Sequence, residues 1–451
     1  MSIEQHDVIV IGGGLAGLTA GWDLRDLDTI VLEKTDRPGG RIRSIERGPI
    51  WLNLGAHVFG GPETTIGRLL GETGLQSVEV PGILTAVSYE GRLISNGPIE
   101  LYPLRLPFSL SARVEFVRIG LKLRRLVRRY ADVVRPRPGE EPAVRQQRML
   151  DFMDDRSFTD AIGPMSQEVD DFFHCTLTRG TGEPEEISAG YGVSYFHLVW
   201  DKDDGLGRAI VGGPQRLMDA LAAGVRDIRY STCVTRVRRE GDGVVVEAEG
   251  PGGPQTLRAK AVVMATPSHF TADIVEDLPA DLDAALRAIT YGPSIAAAFL
   301  TDEEGPQAWD GIYAIATPKR AMSMLFNMAN VMSTTLPERP RGSSFMVYAP
   351  ADLGRTIAHL SDDEVLDRFQ ADIEQVLPGV RGHIVERHIH RVHPGVPFPF
   401  VGRGRIQPTL MARRERIHIA GDYLGTWYGE TAAWTGAGAA QRAREDVAAQ
   451  G

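Results

Sequence analysis

The apolar residues first gather in a short β-branched run, Asp7-Val8-Ile9-Val10-Ile11, which reads as a strand buried on both faces of a parallel sheet. It runs straight into Gly12-Gly13-Gly14-Leu15-Ala16-Gly17, after which apolar residues recur at helical spacing as far as Leu24. A second strand, Thr29-Ile30-Val31-Leu32, ends at Glu33. Tyr230 to Val237, Val244-Val245-Val246, Ala261 to Met264 and Ile417-His418-Ile419 read as further strands. Strands interleaved with helices predict an α/β fold.

One segment carries a different pattern. From Ser109 to Val134, Val114, Phe116, Val117, Ile119, Leu121, Leu123, Leu126, Val127 and Tyr130 form a broad apolar stripe, and Arg113, Arg118, Lys122, Arg124, Arg125, Arg128 and Arg129 line the rest. Ser109 or Ser111 caps it. It is expected to be a helix with its apolar face in the core and a solvated basic face; the alternative is docking on anionic lipid. The Pro-rich stretch from Arg135 to Pro142 reads as a surface loop.

The first strand, the glycines and the acid form a G-x-G-x-x-G unit between strand and helix, with an acid about 20 residues on. Gly12 permits the tight turn and Gly14 lets a pyrophosphate approach the backbone. Gly17 lets helix pack on strand, and Glu33 accepts hydrogen bonds from a ribose diol. Gly39-Gly40-Arg41 follows, a turn suited to bringing backbone N–H groups and a guanidinium to a diphosphate.

These two motifs resemble those of the flavin-containing amine oxidase superfamily, which includes monoamine oxidases, protoporphyrinogen oxidase and the phytoene desaturases. The resemblance recurs at Leu52 to Phe59, beside the flavin ring; at Gly212-Gly213-Pro214; at Val234, whose backbone meets adenine; at Ala265; and at Gly421-Asp422, whose acid binds the ribityl chain. Gly429 to Gly436 resembles the helix whose N-terminus faces the flavin pyrimidine. It implies a two-domain FAD oxidoreductase, with a Rossmann-type FAD domain of 1–80, 205–270 and 395–451 and an α+β substrate domain of 81–204 and 271–394. The residues it places on the cofactor are Gly12, Gly14, Ala16, Gly17, Glu33, Lys34, Gly40, Arg41, Gly55, Ala56, His57, Val234, Ala265, Gly421, Asp422, Thr431 and Ala432. The run His393 to Phe400 has no cysteine, so FAD is expected to be non-covalent.

On the substrate side the resemblance implies Tyr428 and Trp427 as substrate-orienting aromatics. Amine oxidases of the superfamily carry a lysine near the flavin, on a strand matching Gly292 to Phe299. Here Ala297 or a neighbour stands in its place. That departure favours the protoporphyrinogen oxidase and desaturase branch: hydride removal from an apolar cyclic or polyenic substrate, with dioxygen or another acceptor reoxidising the flavin. The alternatives are amine oxidation to an imine, a non-redox isomerase, and a binding protein like the GDP-dissociation inhibitors. Retained Glu33, Arg41 and Asp422 speak against the last. Met322, Met324, Phe326, Met328 and Met332, and Tyr191, Tyr195, Phe196, His197 and Trp200, are core or cavity residues.

Composition narrows this further. The chain has 451 residues, and 49 basic against 59 acidic residues give a net charge of −10, which argues against nucleic acid as a partner. Cys175 and Cys233 make no disulfide framework, which fits a reducing, cytoplasmic setting, with peripheral membrane contact through 109–134 left open. His383, His388, His390 and His393 alternate with residues of a strand, and no metal is expected.

Overall fold

In the computed structural model, residues 3–80, 86–98, 101–200, 207–426 and 428–450 are described; for Pro103, Val199 and Tyr428 only the backbone is. Val8 to Ile11 are all buried, and their strand (Glu4–Ile11) pairs in parallel with Thr29–Leu32 on one side and Gly253–Met264 on the other. β-branched side chains with no polar alternation need cover on both faces, and the helices Leu15–Asp23 and Tyr428–Ala448 help to supply it. The sheet is completed by Asp227–Arg229, Cys233–Glu240, Gly243–Gly250 and Ile417–Ile419. All its strands come from the three segments expected to form the cofactor domain. The expected strand at Tyr230 begins only at Cys233, because Ser231 takes a left-handed φ of 52° in a turn.

The second sheet orders Ile384–Pro397, Tyr291–Thr301, Ser344–Pro350, Met324–Asn327, Ala314–Ala316, Ala86–Tyr89 and Arg92–Ile94. Its neighbours are antiparallel except Ala314–Ala316 with Ala86–Tyr89. One face, with Ile295, Ala297, Phe299, Leu325 and Val347, is buried with Val365, Phe369 and Ile373 of helix Asp362–Val376. The other face, with Ala296, Met324, Phe326 and Met346, joins the largest apolar cluster, which also holds Phe116, Ile119, Leu123 and Tyr130 of helix Leu110–Val134.

That helix corrects the sequence reading. Ser109 caps it, its Oγ accepting from Ala112 N at 3.2 Å, but the apolar residues do not form one stripe. Phe116, Ile119, Leu123, Leu126, Val127 and Tyr130 are buried, whereas Val114, Val117 and Leu121, with Leu110, are 51 to 79% exposed. At 100° per residue the second set falls on the side of the helix opposite the first. No helix among the described residues is long and apolar enough to cross a membrane.

Candidate active site

The cradle is shaped by backbone approaches. Gly12 has φ 107°, and a Cβ there would lie 2.7 Å from Ala265 O; one on Gly17 would lie 1.8 Å from Gly12 O. Both positions therefore require glycine, and they lock strand, loop and helix together. Ala16 meets helix Tyr428–Ala448 as tightly, since a Cβ on Gly436 would come within 2.2 Å of Ala16 O. Gly14 is the opposite case: a Cβ there meets nothing within 4 Å. That open space lies at the N-terminus of helix Leu15–Asp23, where unpaired N–H groups favour an anion. Gly40, at φ 55°, closes one side, its would-be Cβ 3.4 Å from Gly14 Cα.

Glu33 is buried at the end of its strand. Its carboxylate accepts from Gly13 N at 2.5 Å and from Thr35 N and Oγ1 at 2.8 and 2.7 Å. Thr232 N donates to Glu33 O, which brings the turn before Val234 alongside. Lys34 places its ammonium 4.8 Å over the Phe270 ring. Arg41 and Asp422, 381 residues apart, form a two-pronged ion pair at 2.6 and 2.8 Å, and Arg41 donates also to Gly395 O. Gly421 N donates to Thr435 Oγ1, whose hydroxyl donates to Thr431 O, so the Gly-Asp turn is fastened to the helix carrying Thr431 and Ala432.

Gly55 lies under Arg41 O, 2.2 Å from a would-be Cβ, and delivers exposed Ala56 and half-buried His57 to the boundary with the second sheet. His57 Nδ1 lies 3.2 Å from Gly55 O and Nε2 lies 3.0 Å from the Tyr313 hydroxyl. A carbonyl only accepts, so the neutral ring carries its proton on Nδ1 and Nε2 accepts from Tyr313. Desolvation pushes the His57 pKa down to about 4; the Gly55 carbonyl opposes this, and the Arg179 charge adds to it.

His57 thus opens onto an aromatic wall. Phe326 meets it edge-on at 4.8 Å, lies tilted against Tyr313 at 5.5 Å, and stacks on Tyr348 at 6.0 Å. Arg179, from the turn Thr178–Gly180, sits 5.9 Å from the Phe326 centroid and reaches the Tyr348 hydroxyl. Burial pushes the phenols of Tyr195, Tyr313 and Tyr348 up, and Arg179 pulls each partly back. Sequence reasoning missed Arg179, Tyr313 and Tyr348. Tyr348 lies in a strand buried on both faces, with no alternation to single it out, and nothing local marks Arg179.

Ala297 faces away from this wall, in the cluster under helix Asp362–Val376. Its neighbour Ala296, paired with Tyr348 and His390, faces it. Lys319 does not replace the missing lysine: it sits in a turn at φ 63° and pairs with Glu90 at 3.2 Å and Asp171 at 3.4 Å. Trp427 lies outside the described residues, and Tyr428 is described only as the first backbone position of its helix. Of the histidines, His388 pairs with Glu386 and His390 binds Leu54 O within strand Ile384–Pro397. Among the described residues no group of His, Cys, Asp and Glu is arranged to hold a metal ion.

The profile of the flavin containing amine oxidoreductases matches residues 15–444. The chain belongs to this family. Its flavin is FAD, and the cradle fits that group: an anion-receiving space at Gly14 and a buried acid at Glu33 occur where a dinucleotide needs them. The rainbow trout (Oncorhynchus mykiss) flavin-containing amine oxidase is 26% identical over 279 residues, 58% of this chain and 50% of that protein. Polyamine oxidase 2 of Arabidopsis thaliana is 26% identical over 275 residues, 59% and 52%. The chain spans about half the length of these relatives. Among solved structures, wild-type putrescine oxidase bound to putrescine superposes with a TM-score of 0.75 at 19% identity, over 97% of this chain and 98% of that one. Cyclohexylamine oxidase from Brevibacterium oxydans gives 0.73 at 17%, over 99% of both. At such identity these structures establish the two-domain flavoprotein fold alone. The relatives overturn the expectation of C–C desaturation: they are amine oxidases, and the absent lysine was too small a departure to outweigh them.

Proposed function

We propose that this flavoprotein is an amine oxidase, converting an amine, dioxygen and water to a carbonyl compound, ammonia and hydrogen peroxide. The observation that carries the reading is the amine-oxidase character of the curated relatives, joined to a family match over nearly the whole chain. FAD, when bound, supplies the hydride-accepting chemistry. Glu33 takes the ribose hydroxyls, the helix N-terminus at Gly14 takes the diphosphate, and Asp422, held by Arg41, takes the ribityl chain. Neutral His57 with Tyr313 walls the flavin side of the pocket. The aromatic wall excludes water and, being of low dielectric, favours the uncharged amine whose lone pair the oxidation requires. Tyr428 orients the substrate. The two cysteines, buried Cys175 and exposed Cys233, lie outside the run His393 to Phe400, and the flavin is held non-covalently.

An anaerobic visible spectrum tests this. Bleaching of bound flavin by an amine, with peroxide and ammonia formed in equal amounts on readmitting air, supports the reading. Bound flavin that no amine in a broad panel bleaches sinks it. Release of all the yellow colour on acid precipitation checks the non-covalent link, and Tyr428→Phe should alter turnover with flavin content kept.

Peripheral contact with an anionic membrane belongs to the same reading. The exposed ridge Leu110, Val114, Val117 and Leu121 is bordered by Arg118 and continues into Arg124, Arg125 and Arg128, a basic patch on an acidic protein. Sedimentation with phosphatidylserine vesicles, lost in Val117→Asp/Leu121→Asp and absent with phosphatidylcholine alone, is the expected result.

A further inference from the structure

The aromatic wall beside His57 holds a cation, and the amine of the proposed reaction is itself cationic in water. Arg179 lies over Phe326, reaches Tyr348, and its charge is felt at His57, Tyr313 and Tyr195. It is only partly exposed, and among the described residues no carboxylate lies within ion-pair distance of it. Three acids near it in sequence are engaged elsewhere, and Glu185 is exposed. Glu183 pairs with His174 at 3.1 Å and accepts from Asp352 N at 2.7 Å; Asp171 pairs with Lys319 at 3.4 Å; Glu186 pairs with Arg355 at 2.8 Å.

The fold holds this guanidinium in place. Gly180 is pressed by Tyr191 and Tyr195, 2.8 and 2.9 Å from a would-be Cβ. Thr181, at φ 67°, donates from Oγ1 to Val396 O, and its own carbonyl would lie 1.9 Å from a Cβ on Gly292. Val396 adjoins Gly395, whose carbonyl receives Arg41. Contacts therefore run without a break from the Arg41–Asp422 pair to the turn carrying Arg179. A half-buried guanidinium with no carboxylate beside it among the described residues is costly to hold, and a bound anion offsets that cost.

We infer that Arg179 receives a carboxylate, so that the substrate is an amine that also bears a carboxylate, an amino acid in the broad sense, rather than a simple monoamine or a diamine. This rests on the amine-oxidase reading and names its substrate class. A monoamine would face an uncompensated cation and a diamine would add a second like charge. An amino-carboxylate brings an anion, and a planar guanidinium grips it with two parallel hydrogen bonds. The oxidation is unchanged: C–H and N–H are lost, C=N forms and is hydrolysed, and dioxygen leaves as hydrogen peroxide.

The test uses FAD-loaded protein and two readouts. The first is anaerobic bleaching by a panel of amino acids, each paired with the amine that lacks its carboxylate. The second is titration with benzoate, followed by displacement of the flavin visible band, which needs no turnover. Amino-carboxylates should bleach with much the lower half-saturation concentrations. Arg179→Met should weaken both these substrates and benzoate by roughly ten- to a hundredfold, the loss of one charge-assisted contact. Arg179→Lys should recover part of that. Should the unsubstituted amines bleach well and the amino-carboxylates not, the inference fails while the amine-oxidase reading stands. Bleaching by neither class, with flavin bound, defeats the amine-oxidase reading. Equal benzoate affinity in wild type and Arg179→Met also overturns the inference, whatever the substrate.

Discussion

The cradle and the aromatic wall meet at His57 yet are built in opposite ways. The cradle is mostly main chain, and its shape follows from places where a Cβ has no room, at Gly12, Gly17, Gly55 and Gly436. The wall is side chain throughout, with Arg179, Tyr313, Phe326 and Tyr348 coming from separate turns and strands of the second sheet and its helices. Main-chain geometry tolerates little substitution, so in the proposed reading the cradle fixes the cofactor. A wall of side chains can be repacked on an unchanged frame, so in that reading it sets the substrate.

The sharpest break in this comparison comes from two glycines three positions apart. Gly17→Ala forces a methyl group to 1.8 Å from Gly12 O, where the backbone cannot yield. The expected cost is about 3 kcal/mol or more, with little folded holoprotein recovered. Gly14→Ala meets nothing within 4 Å and has an ordinary φ of −78°. It should leave the apoprotein's Tm nearly unchanged and weaken FAD by at least about tenfold, since the methyl group stands where the diphosphate approaches. Differential scanning fluorimetry of both apoproteins, with FAD titrations, would separate the two; a Gly14→Ala protein that binds FAD normally would show that the open space is not the anion's.

Next in size is a pH effect confined to the junction. His57 keeps a pKa of about 4 in the folded protein against about 6.5 unfolded. Above about 6.5 both states are neutral and His57 contributes no pH dependence. As pH falls from about 6.5 towards 4, the unfolded chain takes up the proton first, so stability is lost, by up to roughly 3 kcal/mol at the bottom of that window. Urea midpoints at pH 7.5 and 4.5 should therefore differ more for the wild type than for His57→Gln; equal differences would place His57 in water.

The same contrast explains what the sequence could reveal. Gly12, Gly17, Glu33, Arg41 and Asp422 stand at fixed offsets from strands whose apolar runs are unmistakable, so the structure brings together residues already singled out. The pairing of Arg41 directly with Asp422 was not legible, because 381 residues separate them. Helix Leu110–Val134 was legible as a helix, while its division into a buried and an exposed apolar face was not, because apolar residues occur on both sides. Arg179 carried no signal at all. Its meaning comes from Phe326 and Tyr348 beside it and from the engagement of Glu183, Asp171 and Glu186 with other groups, all of them tertiary facts.

The smallest effect bears on whether cradle and wall act as one site. Tyr313 is the wall residue that donates to a cradle residue, its hydroxyl 3.0 Å from His57 Nε2. Tyr313→Phe keeps the ring, and with it the packing on Phe326, and removes only the donor. It leaves a half-buried imidazole nitrogen without its hydrogen, at a cost of about 1 to 2 kcal/mol and a small fall in Tm. Losing that donor also frees the Nε2 lone pair for a proton, so the pH window of the His57 effect should narrow from below. If the two regions were merely adjacent, Tyr313→Phe would lower Tm equally at pH 7.5 and 4.5. If the hydrogen bond couples them, the Tm deficit shrinks at pH 4.5, where the freed nitrogen accepts a proton that Tyr313 had kept out.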